Sequence, residues 1–141
     1  MKRETHYLNT DLDLVAQQSL KALAAAFEAR GVFPLHVDLR DDQQWYSTLE
    51  TEEQFTKPEP NIVALLTAIE ALDPQSRNQW AACATREFNI GYDCGDEPWA
   101  FNHGLTAPTL ARIAALGISL RITLYPAESA ASKTSELTHD A

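Results

Sequence analysis

Cysteine is scarce in this chain: Cys83 and Cys94 are the only two among 141 residues. Two thiols cannot build a disulfide scaffold, and as reduced thiols they suit a cytoplasmic protein. Basic side chains are also few. Lys and Arg number 11 against 20 Asp and Glu, a formal charge of −9, and the pI is near 4.8. Non-specific nucleic-acid binding needs Lys and Arg to displace phosphate counterions, so this balance argues against it. Adsorption to anionic lipid is disfavoured for the same reason. No apolar run approaches the roughly 20 residues of a transmembrane helix. Met1-Lys2-Arg3-Glu4-Thr5-His6 leads into alternating polar and apolar residues, not the apolar stretch of a signal peptide. The five glycines form neither Gly-x-Gly-x-x-Gly nor Gly-x-Ser-x-Gly, and there is no EF-hand or Walker pattern. The commonest nucleotide, hydrolase and calcium fingerprints are therefore missing.

Hydrophobic residues make up 45% and charged residues 22%, which is globular composition. A chain this long buries roughly two thirds of its unfolded surface, enough for a core without a metal staple. Residues 6–14 alternate, with Leu8, Thr10, Leu12 and Leu14 on one parity and Tyr7, Asn9, Asp11 and Asp13 on the other. Period two predicts a strand with one wet face. Over 16–30 the period changes: Ala16, Leu20, Leu23, Ala24 and Phe27 form a helical stripe, closed by Gly31. Residues 32–40 and 43–52 read as a hairpin turning at Asp41-Asp42, with Leu35, Val37, Leu39, Trp45, Ser47 and Leu49 inward. Pro58 and Pro60 precede a helix carrying Ile62, Leu65, Leu66, Ile69 and Leu72. Asp73-Pro74 is an N-cap followed by a first-turn proline, starting a short helix with Trp80 and Cys83. Residues 85–93 alternate again. After a loop at 94–105, Thr106 caps a helix with Leu110, Ile113, Ala114 and Leu116 inward, and Ile118, Leu120, Ile122 and Leu124 mark the last strand.

The order β-α-β-β-α-α-β-α-β predicts a single α+β domain over 1–126. A ferredoxin-like split β-α-β core gains an extra helix and strand, giving a mixed, mainly antiparallel sheet of about five strands. Every strand alternates, so helices should cover one face and leave the other wet. Residues 127–141 are small and polar and read as a disordered tail.

The wet parity collects Tyr7, Asn9, Asp11, Asp13, His36, Asp38, Arg40, Tyr46, Thr48, Glu50, Glu87, Asn89, Ser119, Arg121, Thr123 and Tyr125. Tyr and Arg anchor protein interfaces, because they combine large area with polar tips. The expectation is an acidic face that binds a basic protein; an ordinary solvated face is the plain alternative. Two copies could also pack back to back through it, at the cost of carboxylate repulsion. Asp11 and Asp13, with Glu50 and Glu87 on neighbouring strands, could instead gather a divalent metal or raise one another's pKa, and an enzyme would use them so. No pattern calls for a specific cofactor.

The loop from Gly91 to Gly104 holds Cys94, Trp99, Phe101 and His103 among three acids. Cys83, Cys94 and His103 do not have zinc-ligand spacing. Cys94 with His103 as thiolate and base is the second enzymatic alternative. Trp99 and Phe101 either plug the end of the sheet, act as a recognition loop, or line a small-ligand pocket. Arg86 beside Glu87 reads as half of a surface ion pair, and Trp45 and Trp80 as core.

Residues 61–125 run helix, short helix, strand Glu87-Phe88-Asn89-Ile90-Gly91-Tyr92, helix Leu110-Ala111-Arg112-Ile113-Ala114-Ala115-Leu116-Gly117, and strand Ile118 to Tyr125. This layout, with its final Leu-x-x-Ile-Ala-x-Leu-Gly run, resembles the C-terminal half of a bacterial family of small uncharacterised proteins that includes toxin-immunity-like members. The resemblance implies a binding protein, an inhibitor rather than an enzyme, and supplies no catalytic residues.

Overall fold

A computed structural model describes residues 2–126; the tail expected at 127–141 lies outside the described residues. The elements are β1 (His6–Ala16), α1 (Lys21–Glu28), β2 (Val32–Leu39), β3 (Trp45–Thr51), α2 (Pro58–Glu70), α3 (Pro74–Ala81), β4 (Thr85–Asp93), α4 (Ala107–Ala115) and β5 (Ser119–Tyr125). They build one open sheet in the order β2-β3-β1-β4-β5. Every neighbouring pair is antiparallel except β4 and β5, which run parallel. This is the α+β arrangement the element order predicts: a split β-α-β core with β1 at its centre, extended by α4 and β5.

Local chemistry explains most boundaries. Asp73 caps α3 by accepting from the Ser76 backbone N–H at 2.8 Å, with proline in the first turn. Gly31 follows α1 at φ +81, a conformation that costs glycine little. The helix after β1 starts later than its stripe suggests. Ala16 ends β1 opposite Trp45, because the ladder with β3 runs that far. Leu12, Leu14, Leu49, Phe88 and Ile90 from the sheet meet Leu23, Phe27, Ile62, Leu65, Leu66, Ile69, Trp80 and Ile113 from the helices in one core. Burying each such large side chain contributes about 1.5–3 kcal/mol.

Two irregularities break strand parity. The β1–β4 register shifts between Tyr7 and Asn9, so Tyr7 turns into the core and Leu8 turns out. The expectation that Tyr7 lies on the wet face is therefore wrong. Its hydroxyl donates to Asn61 Oδ1 at 2.6 Å and lies 2.6 Å from Thr10 Oγ1. Asn61 Oδ1 also accepts from the Thr10 backbone N–H, and its Nδ2 donates to Thr51. The second shift lies between Pro34 and His36 in β2, and Leu35, expected inward, is exposed.

Two further expectations fail near the C-terminus. Thr106 occupies the N-cap position of α4 without a side-chain cap bond; its own N–H donates to Glu59. Leu110 and Ala114 face outward, leaving Thr109 and Ile113 as the buried residues of α4. A helix burying so little does not cover β5. Leu120, Ile122 and Leu124 share the parity of buried Phe88, Ile90 and Tyr92 yet are 41%, 65% and 63% exposed.

Candidate functional site: the open face of the sheet

The strand registers place His36, Thr48, Asp13, Glu87 and Ser119 in one row across all five strands. Thr48 Oγ1 donates to Asp13 Oδ1 at 2.7 Å, and His36 Nε2 lies 3.1 Å from the same Oγ1. A hydroxyl has one hydrogen, so His36 supplies the hydrogen in its contact with Thr48. His36 Nδ1 is 2.9 Å from Asp38 Oδ2, close but off-line for a hydrogen bond. Acid, imidazole and hydroxyl thus stand in sequence, but the hydroxyl hydrogen is committed to Asp13 and not to the imidazole. The set is not a nucleophile and its base.

Asp11, Asn89 and Arg121 form the next row. Asn9 Nδ2 donates to Asp11 Oδ1 at 2.8 Å and to Glu50 Oε2 at 3.2 Å, linking the two carboxylates. Thr123 donates to Asn89 Oδ1 at 2.7 Å. Arg121 Nε donates to Glu87 Oε1 at 2.6 Å, which neutralises Glu87. Arg40 lies 3.9 Å from Asp38. Among the described residues no cationic side chain comes within 4 Å of Asp11, Asp13 or Glu50. Burial pushes the Asp11 carboxyl up to about 6, and the charges of Asp13 and Glu50 push the same way, against the Asn9 hydrogen bond.

The structure therefore brings together Asn9, Asp11, Asp13, Glu50, Glu87, Asn89 and Arg121 as the sequence predicts. Tyr125 belongs to the same face at its outer edge, opposite Asp93 and half exposed. Tyr46 sits toward the hairpin end, where its hydroxyl donates to Asp42 and the Arg40 guanidinium stacks 4.0 Å from its ring centroid. Trp99 is elsewhere. It is 100% exposed and borders a cavity of about 440 Å³ with Thr5, Tyr92, Phe101, His103 and Leu124. Phe101 packs on Tyr92 and His103, whereas Trp99 plugs nothing.

Cys94 and His103 both line that cavity, but the His103 ring engages the Tyr92 hydroxyl at 3.2 Å. Cys83 is buried beside α3, its thiol pushed up to about 11 by burial. Among the described residues no three His, Cys, Asp or Glu side chains converge as metal ligands. Arg86 makes no ion pair with Glu87. Its guanidinium donates to the carbonyls of Trp80, Ala81, Cys83 and Gly117 at 2.9–3.2 Å, tying the C-terminal ends of α3 and α4 together. Sequence reasoning missed the exposed Leu120, Ile122 and Leu124. The signal was the thin apolar stripe of α4, which is too short to shield them. Among the described residues no helix is long and apolar enough to cross a membrane. No family model, curated protein or solved structure matches the chain.

Proposed function

We propose that this protein is a non-catalytic binding module of the bacterial cytoplasm. In this reading it is an immunity-type inhibitor whose acidic open sheet face docks on a basic protein. One observation carries the reading. Asp11, Asp13 and Glu50 stand on adjacent central strands of the open face and form no salt bridge among the described residues. Carboxylates that repel one another in the free protein gain from an incoming Lys or Arg, and their field speeds encounter with a basic partner. Tyr46 and Tyr125 flank the cluster as aromatic anchors.

The test uses the partner captured from host lysate, re-purified and titrated against wild type and Asp11→Asn/Asp13→Asn/Glu50→Gln. The triple variant should bind roughly 10–1000-fold more weakly, chiefly through slower association at low salt. Equal affinity for an intact triple variant would overturn the reading.

A further inference from the structure

The two edges of the sheet differ in how they are guarded. Edge strands expose unpaired backbone groups and are normally blunted by proline, a bulge or charged side chains. β2 carries all of these: Pro34 within the strand, a register shift beside it, and His36 and Asp38. β5, Ser-Leu-Arg-Ile-Thr-Leu-Tyr, has no proline and no register shift. Its one charge, Arg121, is already paired with Glu87.

Among the described residues, the backbone groups of β5 that do not pair with β4 can be assigned. The Tyr125 carbonyl accepts from the Cys94 N–H on the β4 side. Backbone groups alternate sides along a strand, so those of Thr123, Arg121 and Ser119 also face β4. The N–H and C=O groups of Leu120, Ile122 and Leu124 then point away from the sheet. These same three residues carry the exposed apolar side chains. Donors, acceptors and apolar surface therefore coincide on one edge.

We propose that the occupant of this edge is a second copy of the chain, its β5 antiparallel to the first with Ile122 on the two-fold axis. The seven-residue strand is self-complementary in that register. Ile122 faces the partner's Ile122, and Leu120 faces the partner's Leu124. Arg121 faces the partner's Thr123, so the arginines are not directly opposed. Three residue pairs exchange about six backbone hydrogen bonds. The charge distribution favours this edge over the open face. Two chains of net charge −9 repel through Asp11, Asp13 and Glu50, whereas β5 and its paired Glu87 are neutral together. The dimer is a continuous sheet with both acidic faces still open, so it does not depend on the binding role of that face.

Sedimentation equilibrium of the full chain tests this, with Ile122→Lys as the variant. Position 122 is exposed, so lysine there guards the edge without emptying the core. Wild type should sediment as a dimer at about 100 μM, and Ile122→Lys as a monomer with unchanged circular dichroism. Register is read by oxidising Ile122→Cys and Thr123→Cys in a Cys94→Ser background. The first brings two thiols together across the axis and should give a covalent dimer. The second places each thiol opposite the partner's Arg121 and should not. A monomeric wild type, a dimer surviving Ile122→Lys, or equal cross-linking at 122 and 123 each overturns the proposal. A monomer whose Ile122→Lys variant loses a basic partner would instead assign the edge to that partner.

Discussion

At the residue scale, Asp11 and Tyr7 make opposite demands on the same strand. The folded chain holds the Asp11 carboxyl at about 6 against an ordinary 3.8. Its ionised form is therefore disfavoured by folding. Between those two values the folded state binds the proton more tightly than the unfolded state, so this group's contribution to stability falls as pH rises through that window. Asp42, Glu59, Glu70 and Asp73 are lowered by their hydrogen bonds and act in the opposite sense. The difference between wild type and Asp11→Asn isolates Asp11. That variant should be more stable than wild type at pH 7.5, by roughly 2–5 °C in Tm, with the gain vanishing near pH 4. Thermal melts at the two pH values decide it; a loss of stability at pH 7.5 would contradict the burial of Asp11. Tyr7→Phe should lose about 1–2 kcal/mol, because Asn61 and Thr10 are then left short of a buried partner, while partner affinity stays unchanged. A drop in affinity at constant stability would return Tyr7 to the open face.

At the element scale, the joins depend on single side chains. Arg86 meets four carbonyls at the ends of α3 and α4, and a Cβ on Gly117, itself at φ +69, would lie 2.7 Å from Arg86 Nη2. A lysine has no planar fork to reach carbonyls on two helices. Arg86→Lys should therefore cost about 1–3 kcal/mol, seen as faster amide exchange at the last turn of α3. Unaltered exchange would mean that Arg86 is not the tie. The same scale shows what the sequence carries. Asp73-Pro74, Gly31 and the alternation of β4 are local signals, decided within a few residues, and they fall where predicted. Tyr7, Leu8 and Leu35 are misplaced because a register shift depends on the neighbouring strand, and one shifted residue changes which face its neighbours take. The apolar stripe of β5 reads as half-buried whether or not a helix covers it. Coverage depends on how far α4 reaches, which the periodicity of β5 does not encode. The acidic face was legible because the alternation that sets Asn9, Asp11 and Asp13 apart from Thr10, Leu12 and Leu14 is unbroken. The lack of a salt bridge to Asp11, Asp13 and Glu50 among the described residues was not, because pairing depends on which strands adjoin β1.

At the scale of the whole molecule, the acidic face and the elevated Asp11 carboxyl are linked. A cation docked beside Asp11 stabilises its ionised form, so binding must expel the Asp11 proton wherever the free protein still holds it. Affinity for a basic partner should therefore rise with pH through about 6, the Asp11 value, and level off above it. The same attraction is screened by salt over a Debye length of about 8–10 Å, so association should slow as salt rises while dissociation changes less. Isothermal titration in buffers of different ionisation enthalpy counts the protons released at about pH 6, and stopped flow follows association against salt. Asp11→Asn should abolish the proton release while leaving most of the salt dependence, because the other acidic side chains of the face, Asp13 and Glu50, are kept in that variant. Proton release that persists in Asp11→Asn would place the titrating group on the partner. An association rate indifferent to salt would remove the acidic face from recognition altogether, whatever the oligomeric state of β5.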